Sequence, residues 1–120
     1  PIIKTLHDMI PNTEKFDYED FYNSAIETVN DFFEGFPTYF VTRDSFTESE
    51  LHHVIDIIAS VYMTQYGYRI GGGFVQSVLD NNLSQAFSRA DSTVLKGMRM
   101  IVYAKNYGVV KKFKPHFETI

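Results

Sequence analysis

The sequence has no cysteine, no tryptophan and only four prolines in 120 residues. Without thiols there can be no disulfide scaffold, no iron–sulfur cluster, no thiolate zinc site and no cysteine nucleophile. No apolar run approaches the roughly 20 residues that a membrane-spanning helix needs. The opening residues do not read as a secretory leader, and no membrane partner is expected. Motifs of chemistry are equally scarce. There is no His-Glu-x-x-His zinc motif and no Gly-x-Ser-x-Gly nucleophile elbow. His52 and Asp56 have the i, i+4 spacing of two metal ligands on one helix face. A third ligand would have to come from His7 or His116, at opposite ends of the chain, so His52 and His53 read as polar residues on the outer side of a helix. Carboxylate pairs such as Glu19–Asp20 and Glu48–Glu50 sit where helices start and are explained by the helix dipole. The expectation is a protein that is not an enzyme and holds neither metal nor cofactor.

What is present is an ordinary globular composition, 44% hydrophobic and 22% charged, with eight Tyr and eleven Phe. The length suits one domain over residues 1–120. Its net charge of −4 conceals an acidic N-terminal half and a basic C-terminal half. Residues 1–60 carry 12 acidic residues against Lys4, Lys15 and Arg43, a net of −9. Residues 61–120 carry eight basic residues against Asp80, Asp91 and Glu118, a net of +5. Such polarity either neutralises itself within the fold or drives head-to-tail association, and the chain is expected to form a homo-oligomer.

Apolar residues recur at helical spacing along most of the chain. Ile2, Ile3, Leu6, Met9 and Ile10 outline a first helix that Pro11 would stop. Tyr18, Phe21, Ala25, Val29 and Phe32 form a stripe over residues 17–34, closed by Gly35 and Pro37. Residues 38–42 have strand composition but no partner strand, so they read as an extended connector. Thr47-Glu48-Ser49-Glu50 matches a capping box opening a helix to about Tyr66, with Val54, Ile55, Ile58 and Tyr62 buried and Gly67 closing it. A short helix over Phe74–Leu79 is interrupted by Asp80-Asn81-Asn82, and Leu83, Ala86, Phe87 and Ala90 resume the period. Asp91 or Ser92 caps a last long helix carrying Leu95, Met98, Ile101 and Val102, ended by Gly108. Phe21, Val29, Val54, Ile58, Met98 and Val102 are the expected core. Five or six helices without repeats make a compact all-α bundle.

Tyr68-Arg69-Ile70-Gly71-Gly72-Gly73-Phe74 is the least ordinary segment. Three glycines ahead of a helix let the backbone bend closely and expose its first N–H groups, while Arg69 can make a bidentate contact to phosphate or carboxylate. Arg69, Gly71, Gly72 and Gly73, with Arg89, are therefore the candidate anion- or nucleotide-binding residues. The Lys-Ser/Thr pair of a P-loop is absent, and no strand precedes the glycines as in a dinucleotide fold. The other reading is a sharp reversal between packed helices, in which Gly72→Val would destabilise because φ there is positive. The tail, with Tyr107 and Lys111-Lys112-Phe113-Lys114, has the basic–aromatic mixture of a nucleic-acid contact, but an overall pI near 5.5 argues against nucleic acid as partner.

The run from Gly72-Gly73-Phe74 through Asn81-Asn82-Leu83 to Arg89-Ala90-Asp91 resembles a pattern in small helical proteins encoded by bacteriophages and prophages. These read as two glycines and an aromatic, an apolar turn, Asn-Asp-Leu, then Ala and a closing Arg-Ala-Asp before another helix. Asn82 stands where Asp is usual. The likeness spans residues 67–107, about a third of the chain. It implies a phage-type accessory protein acting in an infected bacterial cytoplasm. The leading expectation is an interaction protein that binds and modulates or inhibits a bacterial host protein, such as a defence protein. Aromatic anchors suit that role. The alternatives are a module sequestering a nucleotide or other small anion at Arg69–Gly73, and a minor virion component.

Overall fold

Phe21, Ala25, Thr28, Val29 and Phe32 line one side of an 18-residue helix, α1 (Tyr18–Gly35), and all five are buried. Glu19 and Asp20 occupy its first turn, where the helix dipole favours negative charge. The structure, a computed structural model, describes residues 18–35, 43–108 and 110. The helix expected over residues 1–13, the connector at 38–42 and the tail from residue 111 lie outside the described residues.

A turn of 3₁₀ helix (Arg43–Ser45) leads into α2 (Glu48–Gln65). The capping box forms as its sequence predicts. Thr47 Oγ1 accepts from the Glu50 N–H at 3.1 Å, and Glu50 Oε1 accepts from the Thr47 N–H at 2.9 Å. Val54, Ile58, Ala59, Val61, Tyr62 and Met63 are fully buried, because α2 is the central helix, packed by α1 and by every later helix but one. Gly67, at φ 82°, ends it: the Tyr68 N–H reaches Met63 O at 2.8 Å and the Gly67 N–H reaches Thr64 O at 3.2 Å. That pair of bonds needs one left-handed residue, which glycine supplies without strain.

Four shorter helices complete the fold: α3 (Gly73–Leu79), α4 (Leu83–Arg89), α5 (Ser92–Lys96) and α6 (Met98–Tyr107). The described residues thus hold six α-helices and no strand, the all-α bundle that the periodicity predicts. The last helix differs from expectation in being split. A Cβ at Gly97 would lie 2.8 Å from Val54 Cγ2, so α2 presses directly on the backbone between α5 and α6. Val102 also departs from expectation, being 41% exposed. Met98, Met100, Ile101 and Ala104 are the buried residues of α6, and Val102 falls outside that side. Phe21, Val29, Val54, Ile58 and Met98 are buried as predicted.

Charge crosses between the two halves of the chain at Lys96. Its Nζ donates to Glu50 Oε1 at 2.8 Å and to Ser45 O at 2.9 Å, and lies 5.2 Å from the centre of the Phe46 ring.

Candidate functional site

The site is built on the turn between α3 and α4. Asn81 takes the left-handed conformation, φ 59°, that ends α3. The Asn82 N–H bonds Ser77 O at 2.8 Å and the Asn81 N–H bonds Val78 O at 3.1 Å, the same closure that Gly67 makes after α2. Asparagine tolerates this conformation better than most side chains. Asn82 then caps α4, its Oδ1 accepting from the Gln85 N–H at 3.1 Å. At the far end of α4, Arg89 Nη1 donates to Ser77 Oγ at 3.0 Å and to Gly73 O at 3.3 Å, while Ser77 Oγ itself donates to Gly73 O at 2.8 Å. Both ends of α4 are therefore tied to α3.

Among the described residues, little else holds α4 in place. It packs chiefly on α3, and Ala86 is its one buried residue. The Leu83–Ala86–Phe87 stripe, which shares one helix face, is buried only at Ala86: Leu83 is 69% exposed and Phe87 45%. Between α3, α4 and α6 lies a groove of about 170 Å³. Val78, Ala86 and Met98, all buried, line it together with exposed Leu83 and Val102. Asn81, Asn82 and Lys105 make its polar rim, with Lys105 Nζ donating to Asn81 Oδ1. Lys105 is the only charged residue among those described that line it.

The residues expected to form an anion site are brought together only in part. Arg89 lies against Gly73, where a Cβ would come 3.2 Å from its Cδ. Gly71 is buried, and a Cβ there would meet Val75 Cγ1 at 2.6 Å and Thr64 Oγ1 at 2.9 Å. Arg69 is exposed, and acts electrostatically on Tyr18 of α1. Gly72 corrects an expectation: its φ is −72° and a Cβ there would meet nothing within 4 Å, so no positive φ underlies the glycine.

The histidines and nearby tyrosines make separate surface contacts. His53 Nε2 pairs with Asp91 Oδ2 at 3.0 Å, while Asp91 Oδ1 accepts from the Val94 N–H at 2.8 Å as the cap of α5. The Val94 N–H, and after it His53, hold the Asp91 carboxyl below its usual range. The His52 ring meets Tyr22 edge-on, with centroids 6.5 Å apart. Tyr18 donates to Asp56 Oδ1 at 2.5 Å, and burial, then that bond, raise its hydroxyl well above its ordinary value. Asp56 thus bonds Tyr18 rather than sharing a ligand set with His52, and no group of three metal-ligating side chains occurs among the described residues.

A second depression, of similar volume, runs between α1 and the end of α6. It is lined by Ser24, Glu27, Thr28, Asp31, Tyr103, Tyr107 and Gly108, and is polar where the first is apolar.

Sequence reasoning missed the groove because a helical stripe shows that residues share a face and not what covers that face. Asn81 and Asn82 were legible as turn and cap residues, but their place beside Lys105, 24 positions beyond Asn81, was not. No helix among the described residues is long and apolar enough to cross a membrane. No family model matches the chain, and neither does any curated protein or solved structure.

Proposed function

We propose that this chain is a non-enzymatic protein-binding module, and that the groove between α3, α4 and α6 is its binding surface. In keeping with the phage-type pattern that residues 67–107 resemble, its partner is a bacterial host protein, which it modulates by occupying a docking surface. The observation that carries this reading is the apolar stripe of α4. Leu83 and Phe87 recur at helical spacing with Ala86, yet both stay exposed, and Leu83 lines a groove with an apolar floor. Exposed apolar side chains scattered singly are ordinary, whereas a stripe bordering an apolar groove marks an interaction site. Binding surfaces of this kind rest on a few apolar or aromatic anchors in a desolvated centre with a polar rim.

Affinity capture from a bacterial lysate, run in parallel with wild type and Leu83→Asp, tests the reading. Leu83 is exposed, so the variant keeps its melting temperature, and the expected result is loss of a specific captured protein. A captured set identical in both, or none in either, defeats the reading.

A further inference from the structure

The chemistry of the partner follows from the rim, on the reading that the groove is the binding surface. We propose that the groove takes an acidic amphipathic helix of the partner protein: one apolar side chain enters between Leu83 and Val102, and a carboxylate one turn away meets Lys105, Asn81 and Asn82. Cavities of about 150 Å³ hold a benzene-sized group, so a groove of about 170 Å³ suits one leucine or phenylalanine side chain.

The rim decides the sign of the charge. Asn81 Oδ1 accepts from Lys105 Nζ, and Asn82 Oδ1 accepts from the Gln85 N–H. Both amide orientations are forced, because an ammonium and a peptide N–H can only donate. Each of the two Asn Oδ1 atoms already accepts one bond within the chain. The two Asn Nδ2 groups and the remaining Lys105 N–H groups are donors, and the one charged group of the rim among the described residues is an ammonium. Asp80, adjacent in sequence to Asn81, is exposed but does not line the groove, and no carboxylate among the described residues does. A partner carboxylate matches this rim through charge-assisted hydrogen bonds. A partner lysine or arginine would meet an ammonium and no counter-charge, the like-charge arrangement by which interfaces reject wrong partners. Residues three or four apart on a helix share a face, so an apolar residue followed one turn later by Glu or Asp presents both groups together.

The test uses the full chain, isotopically labelled, titrated with two synthetic helices that share a leucine pattern and differ only in carrying Glu or Lys one turn from each leucine. The Leu–Glu helix is expected to shift the amide resonances of Ser77–Ala86 and Met98–Lys105, and to bind at least about tenfold more tightly than the Leu–Lys helix. Lys105→Glu should reverse that order, and Asn81→Gly, which keeps the left-handed turn while deleting the rim amide, should weaken the Leu–Glu helix alone. Equal or tighter binding of the Leu–Lys helix overturns the proposal, as does binding of neither. Decanoate that saturates the groove and resists displacement would assign it to a small amphiphile, and a dimer interface mapping to these residues would assign it to a second copy; each overturns the proposal. Lysate capture keeps the two levels apart. Capture that depends on Leu83 together with a preference for the Leu–Lys helix removes the acidic partner and leaves the binding module standing, whereas capture indifferent to Leu83 removes the groove itself.

Discussion

The hydroxyl of Tyr62 occupies the space that a side chain at Gly108 would need. A Cβ built on Gly108 would coincide with it, and would also lie 2.7 Å from Ala104 O. Thr28 Oγ1 donates to Ser24 O at 3.0 Å and has a single proton, so Tyr62 must be the donor in the 2.5 Å contact between the two hydroxyls. Gly108 therefore ends α6 because α2 reaches across to α1 through this bond. Gly108→Ala is expected to lower stability by about 1–3 kcal/mol, the range for overpacking. Chemical denaturation checks it, and the cost should shrink in a Tyr62→Phe background, where the nearest of the clashing atoms is absent.

The same tyrosine sets an alkaline limit. Burial pushes the Tyr62 hydroxyl from 10.0 up to about 12. A folded-state value above the unfolded one contributes stability that is fully present below pH 10 and lost as pH rises towards 12, since the unfolded chain ionises first. Burial also raises Tyr18, Tyr22 and Tyr68, so they add to the loss in the same direction. Melting temperatures measured across that window should fall steeply in wild type and less steeply in Tyr62→Phe.

Two of the three consecutive glycines, Gly71 and Gly72, should separate in mutagenesis. Gly71→Ala meets Val75 and Thr64 and is expected to cost about 1–3 kcal/mol. Gly72→Ser has open space, an ordinary φ and the cap position of α3, and should be neutral or stabilising by a few tenths of a kcal/mol. Equal losses at both positions would contradict the geometry.

The two arginines near the glycines should also differ. Arg89→Ala removes the bonds to Ser77 Oγ and Gly73 O that tie α4 to α3, and is expected to cost about 1 kcal/mol. Arg69→Ala touches no hydrogen bond among the described residues and should leave stability within about 0.5 kcal/mol. Urea denaturation of the two variants side by side makes the comparison.

Groove and core respond differently to polar or smaller side chains. Val102→Ser, on an exposed flank, should change stability by less than about 1 kcal/mol. Ile58→Ala, fully buried in the central helix, should cost about 2–5 kcal/mol. A Val102 variant as damaged as the Ile58 one would place Val102 in the core after all.

Local rules written in neighbouring residues were decisive wherever the physics is local. Thr47 and Glu50 cap α2 because the two partners lie three positions apart and need nothing else. Asn82 and Asp91 cap α4 and α5 for the same reason, and the core side of α1 follows from a 3.6-residue period. What depended on distant residues was beyond reach of the sequence. Gly97 breaks a continuous helical pattern because Val54, 43 positions earlier, leaves no room for a side chain. Val102 is left at the surface because the core contacts of α6 are taken by Met98, Met100, Ile101 and Ala104. The period showed that Leu83 and Phe87 share a face with Ala86. Whether that face meets the core or solvent was decided only by the packing of α4 against α3, because a helical stripe records which side of a helix is apolar and carries no information about what lies opposite it.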